Sequence, residues 1–120
     1  MTPLRRLPAD GSVRRLVTIH SPDSRADEMI VGVRTGAALD GSACAYRVVA
    51  TFIPRTGAPV AVPLESSECG ASGVPEFPYC GALAVPAGGP FDRAEVGACA
   101  TTATDYPGAV ALVATLGRAP

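Results

Sequence analysis

The sequence predicts an all-β fold built as an antiparallel sandwich of short strands. Short β-branched, apolar runs recur along the chain at roughly 10–15-residue spacing. Between them stand turn formers, 13 glycines and 12 prolines among 120 residues. No stretch shows the 3.6-residue apolar period of a helix long enough to alternate with strands, which disfavours a parallel βαβ fold.

The elements follow in order. Residues 1–12 carry Pro3, Pro8 and Gly11 and read as an extended N-terminal arm ahead of a single β domain over 13–120. Val13–His20 holds the β-rich Leu16, Val17, Thr18 and Ile19 and forms the first strand. A polar turn over 21–27 leads to Glu28–Thr35, where Met29, Val31 and Val33 alternate onto one face. Cys44–Ile53 is the strongest strand, with Cys44, Tyr46, Val48, Ala50 and Phe52 on one apolar face. A turn ending at Gly57 returns the chain into Ala58–Leu64 as a hairpin. Pro59 and Pro63 cannot donate to a ladder, so that strand belongs at a sheet edge. Cys80–Val85 is a short strand, Phe91–Glu95 suits one helical turn, and Glu95–Thr102 and Ala109–Leu116 complete about seven strands. The expected architecture is an immunoglobulin-like or similar sandwich with little helix.

Apolar residues make up 48% of the chain, enough to oppose disorder despite the glycine and proline content. The formal net charge is −1, so no basic surplus exists to neutralise phosphates and no nucleic-acid partner is expected. No run of 18 apolar residues occurs, so no membrane span is expected. Lysine, asparagine, glutamine and tryptophan are absent and all ten cations are arginine, a bias that GC-rich bacterial codon usage would leave. Residues 1–15 lack the apolar segment of a signal peptide.

The cysteines decide the compartment. Cys44, Cys69, Cys80 and Cys99 contain no closely spaced knuckle pair, and the single histidine, His20, is remote, which argues against zinc. Two disulfides are the better use of four cysteines in a chain this short. The expected pattern is nested, Cys44–Cys99 across the core and Cys69–Cys80 closing a loop; Cys44–Cys69 with Cys80–Cys99 is the alternative. Each bond would contribute about 3–4 kcal/mol. Disulfides imply an oxidising compartment, so the chain is read as secreted or periplasmic.

Chemistry-bearing groups are sparse. His20, Ser21 and Asp23 bring together the residue types of a hydrolytic triad, but neighbours in sequence diverge in space, and a triad needs convergence. The acidic pairs Asp27/Glu28, Glu65/Glu68 and Asp92/Glu95 read as solvated turn residues. Calcium could draw on Asp23, Asp27 and Glu28, or on Asp40 with Ser42, yet no alternating aspartate loop supports it. No cofactor or metal is expected.

The segment between Cys69 and Cys80 is the leading binding feature. Val74, Pro75, Glu76, Phe77, Pro78 and Tyr79 place two aromatics on a stretch stiffened by two prolines. A rigid loop loses little entropy when it binds. In size, cysteine number and composition the chain resembles the small disulfide-bonded protease and amylase inhibitors of GC-rich soil bacteria, without their cysteine spacings or reactive-loop motifs. The resemblance implies an exported, non-catalytic module recognising a protein or cell-surface partner. The rival readings are a small hydrolase using His20 and a structural subunit of a larger assembly.

Overall fold

The computed structural model describes residues 3–35, 46–64, 79–101 and 109–118, and all regular structure among them is β-strand. In chain order the strands are β1 (Arg5–Arg6), β2 (Arg14–His20), β3 (Glu28–Thr35), β4 (Tyr46–Pro54), β5 (Val60–Pro63), β6 (Tyr79–Ala84), β7 (Phe91–Ala100) and β8 (Ala109–Gly117).

Their pairing has a simple logic. β1 lies antiparallel to β8, β2 to β7, β3 to β6 and β4 to β5. The first half of the chain therefore runs out and the second half returns beside it, as one long antiparallel ribbon. Rolling that ribbon brings β3 against β8 and β4 against β7 as well. Two four-stranded sheets result, β1-β8-β3-β6 and β2-β7-β4-β5. This is the strand order of an eight-stranded jelly roll.

The expected all-β, two-sheet arrangement is present, and three finer expectations change. The extra strand is β1, inside the N-terminal arm, and Leu7 beyond it is only 1% exposed within the core. Two residues between prolines carry no periodicity, so nothing in the sequence announces a strand there. Phe91–Glu95 is not a helical turn but the start of β7, which is laddered on both sides by β2 and β4. An immunoglobulin order is also replaced, because β7 and β8 stand in different sheets rather than as a hairpin.

The sheets face each other across one apolar core. Met29, Val31, Val33, Leu83, Val110 and Leu112 meet Val48, Ala50, Phe52, Phe91, Ala94, Val96 and Ala98. The predicted alternations of β3 and β4 are the faces that are buried. Among the described residues, no polar or charged side chain is buried. β5 lies at an edge, as its prolines require.

Two close approaches fix how strands seat on one another. At Gly97 an added Cβ would lie 2.4 Å from the carbonyl oxygen of Arg14, where β2 bulges between Arg15 and Val17. At Gly81 it would lie 2.7 Å from the side chain of Leu64. Leu64 follows β5 and is held by its own N–H on the Val48 carbonyl at 2.9 Å. The end of β5 in one sheet is thus locked onto the start of β6 in the other.

Candidate functional site

The rolled topology sorts the connections into two ends. At one end the turns β2–β3, β4–β5 and β6–β7 are short and knit together. Ser21 N–H donates to the Asp92 carbonyl at 2.9 Å, Val85 N–H to Asp27 at 3.0 Å and Asp27 N–H to Gly117 at 3.0 Å. Ser21 takes a left-handed φ of 47°, held by its bond to Asp92.

A cavity of about 300 Å³ opens at this end between the β2–β3 and β6–β7 turns. Phe91, Leu116 and Val85 supply apolar surface, Pro22, Pro86 and Pro90 supply rigid walls, and Asp23 and Ser24 are the polar side chains. Among its described lining residues Asp23 alone is titratable. Its carboxylate accepts the Arg25 backbone N–H at 2.9 Å and the Arg25 guanidinium at 3.2 Å. Those bonds, the Arg25 side chain first, hold its pKa below the usual aspartate value. Nothing in sequence marks this cavity in advance, because its walls come from residues 22–26, 85–91 and 116.

The structure does not join the triad-type residues. His20 ends β2 with its side chain exposed, in register with Arg93, and does not line the cavity. Among the described residues no hydrogen bond links it to Ser21 or Asp23, and the Asp23 carboxylate is occupied by Arg25. Beside His20, the outer face of β2 and β7 carries an ionic cluster. Arg15 meets Glu95 at 2.8 Å, and Arg93 reaches Glu95 at 3.3 Å and Asp92 at 3.0 Å. Arg15, and secondarily Arg93, lowers the Glu95 pKa. The stabilisation this brings is complete above the ordinary carboxyl value and fades as pH falls through the lowered one. Among the described residues no group of three His, Cys, Asp or Glu is placed to hold a metal ion. No described helix is long and apolar enough to cross a membrane.

The other described strand ends lie at the opposite end. β3 ends there at Thr35 and β4 begins there at Tyr46; β5 leaves through Leu64 and β6 enters at Tyr79; β7 ends at Ala100 and β8 begins at Ala109. Three long connections therefore depart from and return to one end. The predicted binding residues Val74, Pro75, Glu76, Phe77 and Pro78 lie outside the described residues, as does the side chain of Tyr79. Cys44 and Cys69 and the side chain of Cys80 lie outside them too. Cys99 is described and is a half-buried free thiol. It pairs with exposed Arg47 on the outer face of its sheet, whereas its neighbour Ala98 faces the core opposite Val48. A Cys99 bond through the core is therefore not what this strand provides.

Compared with known protein families, curated proteins and solved structures, the chain matches none.

Proposed function

We propose that this chain is an exported, non-catalytic binding module that recognises a protein or cell-surface partner through the Cys69–Cys80 loop, in the manner of an inhibitor. The observation that carries the reading is the clamp at the base of that loop. Leu64, just before residue 65, seats on Gly81, just after Tyr79 and Cys80. The segment leaves and re-enters the scaffold at one spot, fixed by packing between two sheets. Recognition segments on rigid scaffolds are built this way.

A Cys69–Cys80 disulfide fits that clamp, since Cys80 directly precedes Gly81. Such a bond would limit the loop's freedom before binding and reduce the entropy lost on recognition. Jelly rolls also serve as lectin and capsid domains, an analogy of fold that does not choose among partners.

The test compares partner capture by the immobilised full chain with capture by Phe77→Ala/Tyr79→Ala. Binding should be lost while the melting temperature stays within a few degrees. Equal capture by both chains refutes the reading, and an unfolded variant assigns the two aromatics to the core instead. Alkylation without reduction should leave Cys69 and Cys80 unmodified.

A further inference from the structure

Among the described strands the four sheet edges are not alike. β1 is two arginines long, flanked by Pro3 and Pro8. β2 carries Arg14, Arg15 and His20 and a bulge. β5 is preceded by Pro59 and ends at Pro63. Each of these is a device that discourages pairing with another chain. β6 is different, because the sequence from Tyr79 to Ala84 contains no charge and no proline. Among the described residues it is the last strand of its sheet and pairs with β3 alone.

The direction of its backbone groups can be read from one bond. Val85 N–H points toward β3, onto the Asp27 carbonyl at 3.0 Å. Across a trans peptide the Ala84 carbonyl must then point the other way. Alternation along the strand turns the N–H and C=O of Leu83, Gly81 and Tyr79 toward β3, and those of Cys80, Ala82 and Ala84 toward the open edge. Ala82 and Ala84 are exposed. In register with Ala82 stands Ile30, 39% exposed on the same outer face, with Val113 of β8 nearby at 37%.

We propose that this edge pairs with the same edge of a second copy of the chain. A twofold axis at Ala82 sets Ala82 against its own copy, and Cys80 against Ala84, and each pair exchanges both N–H···O bonds. The pairing is self-complementary. The facing Ala82 methyls are small, the strand brings no like charges together, and Pro78 and Pro86 bound the segment at both ends. Ile30, Ala82 and their copies then form one apolar row across a continuous sheet.

Sedimentation of the full chain and amide exchange over a range of concentrations test this. The expected species at high concentration has twice the 12.1 kDa mass of one chain. On assembly the Ala82 and Ala84 amides should exchange about tenfold or more slowly, while those of Gly81 and Leu83 are protected at every concentration. Ala82→Pro removes an N–H that β3 does not use, so it should fold normally and sediment as a monomer; Leu83→Pro, which removes a ladder donor, should not fold. Ala82→Lys sets two cations opposite each other and should also yield a folded monomer. A wild-type chain that stays monomeric overturns the proposal. So does a dimer that survives both Ala82 substitutions, or one whose Ala82 and Ala84 amides still exchange freely.

Discussion

Phe52→Ala should destabilise the domain by about 3–5 kcal/mol, read from urea or thermal unfolding. Phe52 is fully buried in β4, and its ring packs against Phe91 of β7 with centroids 5.3 Å apart and planes inclined by 54°. Truncation removes transfer energy, opens a cavity between two sheets that cannot close on it, and forfeits an aromatic contact worth about 0.5–1.5 kcal/mol. Against a typical domain stability of about 5–15 kcal/mol, much of the folded population is at stake. Val60→Ala, at a residue 39% exposed on edge strand β5, should change stability by about 0.5 kcal/mol or less. Similar effects at both positions would contradict the assigned core.

Gly97→Val should be comparably damaging, by about 3 kcal/mol. Adding a side chain to a strand glycine ordinarily helps, because glycine loses more entropy on folding. At Gly97 the added carbon meets backbone, the Arg14 carbonyl at 2.4 Å, together with the Val13 side chain at 2.8 Å. Backbone cannot swing away as a side-chain tip can, so β2 would have to lift off β7. Gly117 in β8 has nothing within 4 Å of its would-be Cβ. Gly117→Ala should therefore be neutral or stabilising by about 0.5–1 kcal/mol. Unfolding by guanidinium of the two variants separates sterics from propensity; equal behaviour would show that β2 does not seat on Gly97.

Strands were legible in the sequence wherever one face alone is buried. Met29, Val31 and Val33 alternate in sequence and are all buried in β3, and the prolines of β5 correctly place it at an edge. Phe91–Glu95, too short to show a period, is strand rather than a helical turn; in β7 Arg93 and Glu95 form the outer ionic row with Arg15. Pairing order was not legible, because alternation gives each strand a face but not a neighbour. The side of the sheet taken by Cys99 was lost for the same reason, since it depends on the phase set by Ala98 against Val48. The cavity beside Phe91 is not legible in the sequence because its turns meet only once the ribbon is rolled.

The rolled ribbon is what brings the ends of β3, β5 and β7 and the starts of β4, β6 and β8 to one end of the sandwich. Strand β8 distinguishes it from the immunoglobulin-like alternative. Cross-strand α-proton NOEs measured on the labelled chain should connect Ala109–Gly117 with Glu28–Thr35, Val33 opposite Leu112 among them, and with Arg5–Arg6. NOEs linking Ala109–Gly117 as a ladder to Phe91–Ala100 would make β7 and β8 a hairpin and contradict the rolled-ribbon topology.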